Sequence, residues 1–361
     1  MDKNIYWLAL IQTPMVGPRT LLKLVRHLGN PQRVWEANRK ELEQVPEIPP
    51  AVVENIVVRR RSLDLQREWD RLQEYQVRLI TIDDEDYPVN LKRIYDPPPV
   101  LFVKGTIKKE DEQAIAIVGS RRATAYGRKV AQKLAQELVL NGFCVVSGMA
   151  RGIDTCAHQG ALQGGGRTIA VLGSGINVVY PRENDQLMES ISENGAVISE
   201  FPLDTQPEPG NFPVRNRIIS GLAWGTLVVE ATERSGSLIT VDFALEQGRD
   251  VFAVPGPITS PCSKGTNNLI KQGAKLVETV ADILEEYGIK PFFSGEDRKG
   301  NISLDKIEKE VLQLVSSEPV HVDELQKLTG LSISRLNSIL MFLELKGLVR
   351  QLPGKYYLAS G

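Results

Sequence analysis

The chain has 361 residues, 42% of them hydrophobic and 24% charged, with a formal net charge of −2. Those values fit two or three soluble globular domains. They exclude a globally basic nucleic-acid coat, so any polyanion must be held by a local patch. Residues 1–75 read as a helical domain. Leu21, Leu22, Leu24, Val25 and Leu28 follow the turn Val16-Gly17-Pro18-Arg19. Val52, Val53 and Ile56 follow a second turn at Val45–Pro50. Two helix pairs joined by Gly/Pro turns point to a sterile-alpha-motif or helix-hairpin-helix type of module. Only Arg19, Lys23 and Arg26 are basic there, which favours a packing module over duplex binding. The run Arg59-Arg60-Arg61 reads as a solvated helix face.

Residues 76–290 carry the chemistry. Val77–Ile82 alternates as a strand should, and Asp96-Pro97-Pro98-Pro99 is a rigid extended connector before Val100–Val103. Apolar runs at Ile115–Val118, Cys144–Ser147, Thr168–Leu172, Ala196–Glu200, Thr226–Val229 and Asp250–Ala253 alternate with helical patterns. That alternation predicts an α/β fold with a doubly wound parallel sheet.

Three of these strands run into a small-residue turn that carries an arginine. The first turn is Gly119-Ser120-Arg121-Arg122. The second is Ser147-Gly148 with Arg151, Gly152 and Asp154 close behind. The third is Arg234-Ser235-Gly236-Ser237, opening a helix at Leu238. A strand, a tight turn and a helix N-terminus form an anion site, because backbone N–H groups and the helix dipole favour negative charge. Arginine adds a planar fork that grips phosphate with two bonds. In an open parallel sheet the carboxyl ends of the strands lie along one edge, so three such turns predict one composite phosphate-binding face. Arg215 and Arg217 are further candidate clamps. Asn216 between them either reads a base edge or holds its loop by an internal hydrogen bond. Phe212 is a candidate base-stacking platform or a core residue. Asp154, Glu200 and Glu230 are expected to orient arginines or cap helices, and internal ion pairs to them are the alternative role for Arg151 and Arg217.

Residues 291–301 read as a polar linker, with Gly295 and Gly300. Residues 302–361 show the order of a winged helix: helices at Leu304–Val315, Val322–Thr329 and Ser332–Leu345, then a hairpin at Val349–Leu358. Its charges balance, and its presumed recognition helix offers only Arg335 and Lys346. Such a module fits protein binding as well as duplex reading. Cys144, Cys156 and Cys262 are irregularly spaced and His27, His158 and His321 are scattered, so neither a disulfide framework nor a zinc site is expected. The run Ile5–Ile11 is too short for a membrane span, and a cytoplasmic location is expected.

The core motifs together resemble the DNA-processing protein A family (DprA, also called Smf). They are Ile117–Arg122, Ser147–Asp154, Thr168–Gly175, Tyr180-Pro181, Arg215–Leu222, Val228–Ala231, Ser235–Thr240, Pro255-Gly256 and Gly265–Asn267 with Leu269-Ile270. The resemblance covers most of residues 77–285, and the flanking domains match family accessories more loosely. Ser174 stands where the family often has Cys. The resemblance implies an extended Rossmann fold that uses no cofactor, binds single-stranded DNA as a homodimer and loads RecA recombinase on it during natural transformation. Gly173-Ser174-Gly175 is a lone G-x-G without the third glycine of a dinucleotide site.

Two other readings compete. A nucleotide hydrolase of the lysine-decarboxylase-like Rossmann class uses a Pro-Gly-Gly-x-Gly-Thr loop. The corresponding stretch here is Glu233-Arg234-Ser235-Gly236-Ser237-Leu238, and no base-plus-nucleophile set is evident. A sequence-specific regulator acting through the winged helix is opposed by that domain's neutral charge.

Overall fold

Seven parallel strands form the centre of the protein, and the order in which the chain visits them creates its main cleft. The computed structural model describes residues 4–291, 306–315, 319–345, 348–352 and 354–359. Of the predicted linker, residues 291–301, all but residue 291 lie outside the described residues. Two compact units, residues 1–294 and 295–361, are described separately.

The first unit begins with six short helices: α1 (Ile5–Ile11), α2 (Pro18–Leu28), α3 (Pro31–Glu36), α4 (Arg39–Glu43), α5 (Pro50–Ser62) and α6 (Leu65–Glu74). Local chemistry sets their starts. Proline occupies the first turn of α2, α3 and α5, where its missing N–H costs nothing. Asn30, Asn38 and Asp64 cap α3, α4 and α6 by accepting from backbone N–H groups three residues on. The apolar faces gather Leu8, Leu21, Leu24, Val34, Leu42 and Ile56 into a core that continues through Leu72 to Val100 and Phe102 of the sheet. The arginine run is not uniformly solvated. Arg60 turns inward and donates to the carbonyls of Ala37 (2.7 Å) and Val34 (2.9 Å), with its guanidinium 5.9 Å from the Trp35 ring centroid.

The sheet contains β1 (Val77–Thr81), β2 (Val100–Gly105), β3 (Ala114–Val118), β4 (Cys144–Ser147), β5 (Thr168–Leu172), β6 (Ala196–Ser199), β7 (Gly225–Val228), β8 (Asp250–Ala253) and β9 (Lys275–Leu276). Their order is β1-β2-β6-β5-β4-β3-β7-β8-β9. Strands from β6 to β9 pair in parallel, and β1 and β2 close one edge antiparallel. Tyr87 donates to the Pro98 carbonyl at 2.7 Å and pins the connector between β1 and β2. β9, only two residues long, carries too little pattern to be seen in the sequence.

Helices cover both faces. They are α7 (Val89–Lys92), α8 (Ala125–Leu140), α9 (Ile153–Gln163), α10 (Asp185–Asn194), α11 (Asn211–Leu222), α12 (Leu238–Glu246), α13 (Lys264–Lys271) and α14 (Val280–Glu286). The period of two in β3 explains the sorting. Ala114, Ala116 and Val118 pack with Ile218, Ile219 and Leu222 of α11. Ile115 and Ile117 pack with Leu134 and Leu138 of α8 and Ile153 and Ala157 of α9. The extended Rossmann-like α/β fold expected from the sequence is the fold observed. Among the described residues no helix is long and apolar enough to cross a membrane.

The second unit holds α15 (Lys306–Leu314), α16 (Val322–Thr329) and α17 (Ile333–Leu345). Its sheet, β10 (Val320–His321), β11 (Val349–Leu352) and β12 (Tyr356–Ala359), has the order β10-β12-β11. Val311, Leu325, Leu336, Leu340 and Leu343 form its core. This is a winged helix. Lys346, one of its two presumed recognition cations, lies outside the described residues.

The segment around Arg215 and Arg217 is helix α11, not a loop. Two residues along a helix are about 200° apart, so the two arginines leave opposite sides. Arg217, 4% exposed, is therefore not available as a phosphate clamp on the face where Arg215 sits. It donates to Glu200 (2.6 Å) and Asp96 (3.1 Å), fixing α11 to the loop after β6. Burial raises the Glu200 carboxyl's pKa, and Arg217 opposes that shift. Removing one partner of a buried pair leaves the other charge uncompensated. Arg217→Glu is expected to lose about 3–5 kcal/mol in urea unfolding, whereas an Arg217→Met, Glu200→Met double variant recovers much of it. A double variant no more stable than the single one would show that the pair itself stabilises the fold.

Candidate nucleic-acid interface

The chain places β4, β5 and β6 on one side of β3 and then returns to place β7 on the other. The crevice beyond the carboxyl ends of β3 and β7 is thus the topological switch point of the sheet, where open α/β folds bind ligands. A cavity of about 720 Å³ opens there. The first and third predicted turns contribute Gly119, Ser120, Arg121, Arg122, Ser235, Gly236 and Ser237 to its walls. α11 adds Phe212, Arg215 and Asn216.

The second turn supports this wall from behind. The Ser147 hydroxyl is buried and donates to the Ile117 carbonyl at 2.6 Å. Gly152 has φ +79°, and a Cβ there would meet the Ser120 carbonyl oxygen at 2.3 Å. Its neighbour Ile153 donates to that carbonyl at 3.2 Å, so the second turn clasps the first. Gly148 is needed for a different reason: a Cβ would stand 2.8 Å from the Arg215 guanidinium. Arg215, 3% exposed, donates to the carbonyls of Gly148 (2.6 Å) and Val171. Burial lowers its pKa to about 10, so it remains a cation at neutral pH. Ser147, Gly148 and Gly152 therefore build the site without lining it, and Arg215 forms its floor. Arg151 is exposed but lies outside the cleft, held by Glu183 through two hydrogen bonds.

The first turn is also more occupied than its sequence implies. The Ser120 N–H donates to the Glu230 carbonyl (2.8 Å), and its hydroxyl accepts from the Arg122 N–H (3.1 Å). Glu230 is buried and accepts from the Thr124 N–H (2.9 Å) and hydroxyl (2.5 Å), fixing the start of α8. These bonds hold the turn so that Arg121 and Arg122 extend into solvent. Neither has an ion-pair partner among the described residues. In the third turn the Ser235 and Ser237 hydroxyls bond one another at 2.8 Å, and the surroundings of Gly236 are open.

Phe212 is a wall residue rather than a core one. The Arg121 guanidinium stands 5.2 Å from its ring centroid, and the ring of Tyr180 lies 5.6 Å away at 38°. Tyr180 is 42% exposed. The sequence matches Tyr180 to the family pattern without giving it a role. The aromatic preceding Pro181, after a Gly-Ser-Gly turn, is the available signal. Behind this group lies Asp154, whose carboxylate accepts from the Ala150 N–H at 3.3 Å. It follows the start of α9 rather than capping it, since Gly152 holds the cap position. Burial pushes its pKa up to about 6, against the nearby Arg215. Asp154 is the only Asp, Glu or His among the residues that line the cleft.

The architecture and the motifs both have close counterparts. Residues 78–288 match the family model described as DNA recombination-mediator protein A. Residues 298–355 match the DprA winged helix domain, and residues 8–62 match a SAM-like helix-hairpin-helix tandem. The chain is 36% identical to Protein Smf of Synechocystis over 99% of its own length and 98% of that protein's. It is 42% identical to Protein Smf of Escherichia coli over 82% and 81% of the two chains. The structure of DNA processing protein A from Streptococcus pneumoniae superposes with a TM-score of 0.70 at 39% identity, covering 79% of this chain and 99% of that one. A Helicobacter pylori DNA processing protein A, whose structure is described for its single-stranded DNA binding mode, gives 0.53 at 30% identity over 58% and 95%. The chain belongs to the DprA/Smf family of DNA-processing recombination mediators.

Proposed function

We propose that the cleft at the switch point binds single-stranded DNA and that the protein, as a homodimer, hands the strand to RecA recombinase during DNA uptake. In this reading residues 76–290 hold the strand, and residues 1–75 and 302–361 are accessory domains. The observation that carries the reading is the group formed by Arg121, Phe212 and Tyr180. An aromatic ring on an open wall offers a face on which any base stacks, and a free arginine beside it meets the phosphate. Neither interaction depends on base identity, which suits a protein that handles arbitrary incoming strands. The relative from Helicobacter pylori, described as binding single-stranded DNA, supports the same assignment.

Hydrolysis of a nucleotide is a poorer fit. Proton transfer to and from a glycosidic bond calls for an acid and a base in matched roles, and beside Asp154 the cleft walls offer only the Tyr180 phenol and the Cys262 thiol, with no second carboxylate and no histidine. We assign the cleft a binding role without catalysis.

Anisotropy of labelled oligo-dT and of a matched duplex across a salt series tests the assignment. Tight dT binding with a steep salt dependence and much weaker duplex binding is expected, and absence of dT binding at low salt would refute it. Phe212→Ala is expected to weaken dT binding by about 1–3 kcal/mol at unchanged thermal stability. Arg121→Glu should weaken it at least as much and flatten the log–log salt slope by about 0.7 for each phosphate no longer neutralised. Acid should strengthen binding. With the Asp154 pKa near 6, protonation below that pH removes the one carboxylate charge on the cleft wall. Affinity should rise by up to about fivefold between pH 7 and pH 5, or roughly 1 kcal/mol, and Asp154→Asn should abolish the change. Equal pH dependence in the variant would exclude Asp154 as its origin.

A further inference from the structure

α11 has a second side. A cavity of about 1010 Å³ lies between α2, the loop Tyr95–Pro97 and the residues Val214 and Arg217 of α11. Arg19, Lys23 and Arg26 stand four and three residues apart on α2, so they share one face, and all three line this cavity. Its two carboxylates are already engaged: Glu47 by Lys23, and Asp96 by Arg217. Arg19 and Arg26 have no ion-pair partner among the described residues. The wall is therefore positive despite the mixed composition of the helical segment. Arg217 adds a further unmet donor: its buried Nη1 has no hydrogen-bond partner.

Tyr95 is the most exposed large aromatic among the described residues, at 90%, and the Arg19 guanidinium stands 5.4 Å from its ring centroid. A ring so exposed adds little to the core. It repeats the pairing of Arg121 with Phe212 across the helix. The first half of α11 and the residue that follows it contribute to both clefts. Phe212, Arg215 and Asn216 face one cleft, Arg217 lines the other, and Val214, 45% exposed, lines the second cleft from the crest. A helix with its side chains is about 10–12 Å across, a span of at most about four nucleotides at roughly 3.4 Å each.

We infer that a single strand held in the first cleft crosses the N-terminal half of α11 and continues into this second cleft, with a base on Tyr95 and phosphates on Arg19 and Arg26. The inference rests on the single-strand reading of the first cleft. It gives the helical segment a direct part in holding the strand, where its overall charge favours a packing role alone.

The full chain and its exposed-residue variants Tyr95→Ala and Arg26→Glu test this with dT oligonucleotides of about 6 and about 20 nucleotides, bracketing single-strand site sizes. The short oligonucleotide should bind both variants as it binds the unaltered protein. The long one should bind Tyr95→Ala at least about fivefold more weakly. With Arg26→Glu its salt slope should shrink by about 0.7 per phosphate released. If Arg121→Glu abolishes binding of both lengths while Tyr95→Ala and Arg26→Glu change neither, the second cleft is excluded and the first stands. If the unaltered protein binds neither oligonucleotide, both fall. Loss of duplex binding alone in the two variants would assign the cleft to duplex DNA and overturn the inference.

Discussion

One buried guanidinium organises the site. Arg215 reaches from α11 to the carbonyls of Gly148 and Val171, and so ties the helix to the carboxyl ends of β4 and β5. Phe212, one turn earlier on the same helix, is thereby set against Arg121 of the first turn. The cost is a charge removed from water, partly offset by two carbonyl dipoles and by Asp154. Gly148 exists in this arrangement to let the guanidinium approach. The proposed platform for bases is thus set by bonds within the fold itself.

Two groups of arginines in this protein differ in their physics. Arg60, Arg215 and Arg217 are at least half-buried and bonded to carbonyls or carboxylates, and their charge is consumed inside the fold. Arg121 and Arg122 project from a turn whose own hydrogen bonds are satisfied internally. Only exposed, unpaired arginines such as these, and Arg19 and Arg26 of the second cleft, raise the potential outside the molecule. This is how a chain with net charge −2 presents a local field suited to a polyanion.

The strands of the core were legible because each is a short apolar run set between helical patterns, as a parallel sheet needs. The three turns were legible because small residues and an arginine follow their strands. What the sequence concealed is direction. Ser147, Gly148 and Gly152 have the composition of a phosphate loop, yet serve to press the second turn against the first. Arg215 and Arg217 read as a pair of clamps because the segment that carries them with Asn216 reads as a loop. Pro213 in fact lies in the first turn of α11, where proline is tolerated, and the helix sends the two side chains apart. Tyr180 and Tyr95 lie in irregular segments, where no periodicity indicates which way a ring faces.

α11 is anchored on both flanks, through Arg215 to the carboxyl ends of β4 and β5 and through Arg217 to Glu200 just after β6 and Asp96 in the connector before β2. A helix bolted on two sides cannot roll. Any pull on a molecule seated against Phe212 is carried into the central strands, as load on a beam passes to its supports, and not into a yielding loop. The same stiffness means that a guest seated there, on the proposed reading, conforms to the wall and not the wall to the guest.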